Sequence, residues 1–259
     1  GIDSSLVVSI MQSISDQKVK TFSLGFNEIE FDESHYARKI SQYLDTDHTE
    51  YKLSSKEAIK IINNLPNIYD EPFSDVSQIP MVIISQLARK SVKVCLSGDG
   101  GDELFGGYNR YIYGANLWKI IRVFPLFLRK FISQLILKLP FREIEKFLKV
   151  FSLMRIYKWQ LNLIGQKVQK FCNLLTSENI TEIYSKVTYE NNFDEVLLNK
   201  KNLTKINDKF SYIDYIDSPH NMMYQDIKTY LPDDVLFKVD RAAMYSSLET
   251  RLPMLDVRL

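Results

Sequence analysis

Hydrophobic positions along the chain follow two alternating rhythms. Leu6, Ile10 and Ile14 recur at helical spacing behind Asp3, Ser4 and Ser5, whose side chains suit a helix start. Val19 to Phe26 reads as a strand. Glu33 to Leu44 returns to helical spacing and sets Tyr36, Ala37, Ile40 and Leu44 on one face. His48 to Leu53 alternates as a second strand, and Ser54 then opens a helix reaching Asn63, with Glu57 placed to complete a capping box. Glu71-Pro72-Phe73-Ser74-Asp75 interrupts the pattern. Pro72 forces Glu71 into an extended turn, and Asp75 stands where it would cap the next helix. A helix over 81–90 leads into Val92-Lys93-Val94-Cys95-Leu96, an apolar run that reads as a buried strand. Strands alternating with helices predict an α/β fold, a doubly wound parallel sheet with crossover helices.

After Tyr113 the strand rhythm stops. Residues 114–208 carry helical spacing with little Gly or Pro, which predicts a large helical lobe. Leu117 to Leu139 is apolar, but Pro125 and the cations Lys119, Arg122, Arg129, Lys130 and Lys138 interrupt it. A membrane span needs about 20 predominantly apolar residues, so a span is rejected. A helix packing its apolar face on its own domain fits better than one lying on a lipid surface, and membrane contact is not expected. The resulting division is 1–112 as the α/β core, 113–208 as a helical lobe or insertion, and 209–259 as a return segment completing the active face. In that last part Lys238, Asp240, Arg241, Glu249 and Arg251 are interleaved with Val, Leu and Met. Such charges are expected to be partly buried and paired. Glu249 and Arg251 read as a structural pair. Lys238 reads either as another ion pair or as a lysine facing phosphate.

Composition changes this picture little. The 259 residues are 45% hydrophobic and 25% charged, ordinary values for a globular protein, and a net charge of +1 gives no reason to expect nucleic acid as a partner. Two cysteines suit a reducing compartment, with Cys95 expected as a buried core thiol beside Cys172 elsewhere. No charged n-region and apolar h-region open the chain, so it reads as cytoplasmic. It starts in mid-pattern at Gly1-Ile2-Asp3 and ends at Arg258-Leu259 without a terminating signal, and so reads as a fragment of a longer protein.

The densest chemistry lies in Leu96-Ser97-Gly98-Asp99-Gly100-Gly101-Asp102-Glu103, followed by Gly106-Gly107-Tyr108. Glycines let the backbone turn sharply, and loops at the carboxyl ends of strands bind ligands in open α/β sheets. Three acids on such a loop suit a divalent cation bridging protein and phosphate, since Mg²⁺ is held by one or two carboxylates plus phosphate oxygens. An acidic turn with solvated carboxylates is the plainer alternative. Likewise Gly1 to Ser5 offers a helix start whose free N–H groups suit an anion, or only an ordinary cap.

Three separated stretches together resemble the asparagine synthetase family, in its synthetase domain of the adenine-nucleotide α-hydrolase fold. Gly1-Ile2-Asp3-Ser4-Ser5 resembles the end of that fold's pyrophosphate loop. Ser97 to Glu103 with Gly106-Gly107-Tyr108 resembles the second signature. Lys238-Val239-Asp240-Arg241 through Glu249-Thr250-Arg251-Leu252-Pro253 resembles the third, and Glu71-Pro72-Phe73 with Asp75 supports the match. The resemblance implies an ATP-dependent ligase: ATP activates the side-chain carboxylate of aspartate as an acyl-adenylate, releasing pyrophosphate, and ammonia then gives asparagine and AMP. It implies ATP and Mg²⁺ as cofactors, with ammonia made by an N-terminal glutaminase domain absent from this sequence, and it allows a homodimer of the full-length protein. By resemblance Gly1, Asp3, Ser4, Ser5 and Lys238 serve the phosphates, while Leu24, Ser97 and Gly98 line the nucleoside pocket. Asp3 and Asp102 match the metal carboxylates, and Asp99 is the catalytic candidate, accepting a proton from attacking ammonia. Three departures stand out. The first Ser-Gly of the phosphate loop and its strand are missing, a Lys-bearing segment would fall after Leu259, and Met254 replaces a Phe, so this piece by itself is expected to be weak or inactive. A relative amidating another carboxylate, such as a polysaccharide sugar acid, fits the same motifs. A non-catalytic nucleotide-binding or membrane-docking module is the competing class.

Overall fold

The computed structural model of the chain describes residues 1–27, 32–139, 164–188, 213 and 217–259. In chain order the elements are α1 (Ile2–Ser13), β1 (Lys20–Phe26), α2 (Ser34–Tyr43), β2 (Asp47–Leu53), α3 (Ser55–Ile62), α4 (Leu65–Tyr69), α5 (Gln78–Arg89), β3 (Val94–Leu96) and α6 (Gly101–Phe105). They continue with α7 (Asn109–Ile121), α8 (Leu126–Lys138), α9 (Ile164–Leu175), α10 (Ile180–Thr188), α11 (Ser218–Lys228), a π-helical stretch Leu231–Leu236, α12 (Phe237–Tyr245), β4 (Glu249–Arg251) and a 3-10 turn Pro253–Leu255. The chain divides into two compact units, Gly1–Gly107 with Tyr224–Leu259, and Tyr108–Met223. The expected helical stretches over 140–163 and 189–208 lie outside the described residues.

The first unit is mixed α/β with parallel strand pairs, as expected, but among the described residues these do not join into the single doubly wound sheet read from the sequence. Among the described residues β1 pairs with β2 from Lys20↔Asp47 to Phe26↔Leu53, and β3 pairs with β4 from Val94↔Glu249 to Leu96↔Arg251, giving two separate two-stranded sheets. A strand buried on both faces needs helices on both. β3 has a packed neighbour for Cys95, which meets the cluster of Ala88, Ala243 and Leu248, whereas Val94 and Leu96 stay exposed. Of the expected buried strand only Val92 and Cys95 are partly buried, and burial pushes the Cys95 thiol pKa up. β4 is a strand that charge density concealed. Glu249 and Arg251 alternate about Thr250 and pair with each other at 2.7 Å, as expected, but at the surface and not in the core.

Local signals fared unevenly. The capping box at Ser54 and Glu57 is present in full, with both reciprocal hydrogen bonds made. At α1, by contrast, Gly1 is the N-cap without a side-chain bond, so Asp3, Ser4 and Ser5 sit inside the first turn. Leu6, Ile10 and Ile14 are exposed and Val7 is the buried residue, because the run Leu6-Val7-Val8 let either neighbouring face qualify. On α2, Tyr36 is exposed while Ser34 and Ser41 are buried. The core lies where α5 crosses α12. Small residues, Ala88, Ala242 and Ala243, allow close approach there, and Ile68, Tyr69 and Val82 fill the space beside Phe73 and Phe237.

The second unit is helical. Tyr111, Ile121, Leu175, Ile180, Ile183, Tyr184 and Met222 form its core. Gly114 sits on the core side of α7, where an added Cβ would stand 3.1 Å from the Met222 methyl. Helix α8 inverts the expected pattern: Arg129 and Ser133 are buried, and Phe127, Phe131 and Leu135 are exposed. Among the described residues no helix is long and apolar enough to cross a membrane.

Candidate active site

The glycine-rich loop after β3 and the start of α1 are in backbone contact. A Cβ on Gly98 would lie 2.6 Å from the Ser4 nitrogen and 2.9 Å from the Asp3 carbonyl carbon. One on Gly101 would lie 2.6 Å from Asp3 Cγ, so the Asp3 carboxylate is seated against the first residue of α6. Gly100 has φ +88°, and a side chain there would strike Leu255 at 2.4 Å. Only glycine meets both demands, a left-handed backbone and an approach this close. The three stretches singled out in the sequence thus converge on one loop: Asp3 and Ser4 from the first, Ser97 to Asp102 from the second, and Leu255 from just beyond the third. Within the loop Ser97 Oγ donates to Asp99 Oδ2 at 2.5 Å, which fixes that carboxylate beside its own backbone turn. Asp102 turns toward Gly107, where a Cβ would overlap its Oδ1, and Gly107 N–H donates to the Asp102 carbonyl oxygen at 2.9 Å.

A cavity of about 240 Å³ opens beside the start of α1. Gly1, Ser4, Ser5 and Leu24, four of the residues picked out in the sequence, line it. Its wall also carries His48, which the sequence reading did not single out. The ring is held from both nitrogens, Nδ1 with Thr21 Oγ1 at 2.8 Å and Nε2 with Ser23 Oγ at 2.9 Å. Burial holds its pKa below the ordinary histidine value, with Glu50 opposing and Arg38 adding to the effect. The signal was available: Thr21 and Ser23 are two apart on β1, so they share a face with the residue paired opposite Thr21, which is His48.

A second polar cluster joins the Glu71–Asp75 stretch to α12. The Lys238 ammonium is gripped by Asp75 and lies 3.6 Å from Asp234 Oδ1. Asp75 Oδ1 also accepts from the Ser77 N–H at 2.8 Å, so Asp75 both shapes the start of α5 and holds Lys238. Burial pushes Asp75 up, but the hydrogen bonds from Lys238 and Ser77 outweigh it and hold the carboxyl at about 2. Burial, and then the Asp75 carboxylate, raise Asp234 to about 6. Nearby, Tyr69 Oη donates to the Lys238 carbonyl oxygen at 3.4 Å, and Arg241 pairs with Asp70 at 2.8 Å. Lys238 thus has the ion-pair surroundings that its sequence context allowed, and a phosphate contact would require Asp75 to let go. Asp234 was missed because Pro232-Asp233-Asp234 reads as ordinary acid at a helix start, and its partner is far away in sequence.

The whole chain, residues 1–259, matches the family described as asparagine synthase. The chain belongs to that family. Among its relatives, a putative glutamine-hydrolysing asparagine synthetase 2 of Methanocaldococcus jannaschii is 35% identical over 246 residues, covering 94% of this chain and 44% of the relative. The glutamine-hydrolysing asparagine synthetase 1 of Bacillus subtilis is 32% identical over 262 residues, covering 99% of this chain and 38% of the relative. A putative glutamine-hydrolysing asparagine synthetase of Mycobacterium tuberculosis is 26% identical over 259 residues, covering 99% and 36%. The chain therefore spans less than half the length of these asparagine synthase relatives.

The carboxylates assigned to metal can be tested for fit. Among the described residues no three of His, Cys, Asp and Glu gather as a metal-holding group. Mg²⁺ does not need three: it takes one or two carboxylates and completes its shell with phosphate and water oxygens. Asp3 is packed on Gly101, while the carboxylate of Asp102, the next residue along, lies against Gly107.

Proposed function

We propose that this asparagine synthase chain is the synthetase part of an ATP-dependent amide-forming ligase. In this reading ATP converts the side-chain carboxylate of aspartate to an acyl-adenylate with loss of pyrophosphate. Ammonia from a glutaminase domain then displaces AMP to give asparagine. The observation that carries the reading is the contact of Gly98 with Ser4 and of Gly101 with Asp3, which joins the α1 start to the acidic loop without an intervening side chain.

The chemistry follows from what each part offers. Leaving pyrophosphate must have its charge met, and the first turn of the 12-residue α1 presents N–H groups and the positive end of the helix dipole. Ser4 and Ser5 add hydroxyls at the same place. Asp3 and Asp102 would hold Mg²⁺, which when bound supplies charge neutralisation at the phosphates. Leu24 contributes an apolar wall, and Ser97 and Gly98 the polar edge, of the nucleoside site. Asp99 takes the proton shed by ammonia as the amide forms. Lys238 steadies the Asp75 loop through their ion pair.

The test uses the full-length protein in single-turnover experiments that follow pyrophosphate release and amide formation separately. Asp102→Asn should slow pyrophosphate release by roughly 10²–10³, the cost of one preorganised electrostatic contact. Asp99→Asn should slow amide formation more than pyrophosphate release. ADP as the stoichiometric product, or parallel losses of both steps in proportion to lowered melting temperature, would overturn the reading.

A further inference from the structure

We infer that the outer face of α8 is a docking surface for anionic lipid. The helix is built inside out. Its buried residues are Arg129 and Ser133, 6% and 4% exposed, and its outward stripe at i, i+4 and i+8 is Phe127, Phe131 and Leu135, 74%, 57% and 49% exposed. The inward polar residues are not strays. Arg129 Nη1 donates to the carbonyl oxygens of Leu175 and Ser177, at 3.0 and 2.5 Å, and Ser133 Oγ donates to that of Cys172 at 3.1 Å. These bonds satisfy carbonyls at the end of α9 and place a cation at the negative end of its dipole. They also fix the rotation of α8, so the apolar stripe is held outward by the polar bonds opposite it.

Charge selects the occupant. Residues 109–139 contain six cations, Arg110, Lys119, Arg122, Arg129, Lys130 and Lys138, of which Arg129 is turned inward, and no Asp or Glu. Exposed Lys138 lies within the stripe and exposed Lys130 flanks it, and Ile120, Val123 and Phe124 just before α8 are exposed as well. Among the described residues Lys130 meets two acids, Glu178 at 3.7 Å in an exposed pair that contributes little, and Glu182, whose carboxyl its charge helps to hold low. Protein–protein interfaces are depleted in lysine. An anionic membrane surface instead takes Phe and Leu into its acyl boundary while lysine stems carry their charge up to the headgroups. With 13 residues α8 spans about 20 Å, too short to cross a bilayer, and would lie along its surface.

The test is co-sedimentation of the full chain with vesicles of phosphatidylcholine alone and of phosphatidylcholine mixed with phosphatidylserine. Binding is expected to the mixed vesicles only and to weaken as salt is raised. Lys130→Gln with Lys138→Gln should lower the partition about thirtyfold, since each cation near an anionic surface counts for about one tenfold step or less. Phe127→Ser with Phe131→Ser should abolish it with an unchanged melting curve. If the Phe variants fail to fold, the Lys variants decide alone, because both side chains are exposed. Failure to bind mixed vesicles, equal binding to neutral ones, or a dimer in light scattering that Phe127→Ser dissolves would overturn the inference, the last assigning the face to a second copy.

Discussion

A hydrogen atom where other residues carry a methyl group decides how closely α1 meets the acidic loop. Gly98→Ala would drive a carbon to 2.6 Å from the Ser4 backbone nitrogen, and backbone cannot swing aside as a side chain can. The expected result is a loss of about 1–3 kcal/mol in stability and a larger loss of ligase activity, read by denaturant unfolding beside turnover of the full-length protein. Lys238 offers a contrasting case. Lys238→Met would leave Asp75 and Asp234 facing each other without their cation, at an expected cost of about 3–5 kcal/mol in urea unfolding, partly recovered on adding Asp75→Asn. Sequence displayed these residues unequally. Asp99, Asp102 and the glycines stand out because one loop concentrates them, whereas Asp234 and His48 acquire partners only through contacts that spacing does not encode.

Single elements were most legible where the signal is local. The capping box needs only four residues, and Ser54→Ala should cost about 1 kcal/mol in thermal unfolding. Helix faces were harder, since on α1 and α8 tertiary bonds chose a rotation that hydrophobic spacing did not favour. The π-helical stretch Leu231–Leu236 is an element that no spacing predicts. Pro232 lacks the N–H that would extend the regular ladder back to Lys228, and Asp234 lies in the widened turn. Its carboxyl, raised from 3.8 to about 6, holds its proton more tightly in the folded chain. It therefore favours the fold below the unfolded value, and that contribution is lost as pH rises through about 6. Asp75, lowered to about 2, acts the other way: its contribution is present above its unfolded value and is lost as pH falls toward 2. Asp234→Asn should flatten the fall in melting temperature expected between these two Asp234 values, and an unchanged slope would remove Asp234 as its source.

For the whole molecule, the parallel pairing and the helical lobe were readable from the change of rhythm after Tyr113, but the number and grouping of strands were not. β4 hides among charges, and the pairing of β3 with β4 joins segments about 150 residues apart, a closure whose entropy grows only slowly with length and leaves no local mark. That late pairing has a consequence during synthesis. A ribosome releases the acidic loop long before it releases Leu248, which completes the cluster around Ala88, or Leu255, which packs on Gly100. At about 5–20 residues per second the loop spends many seconds outside the exit tunnel without that support. A nascent chain arrested before Leu248 should remain sensitive to protease in the loop, while one arrested well past Leu259 should be protected.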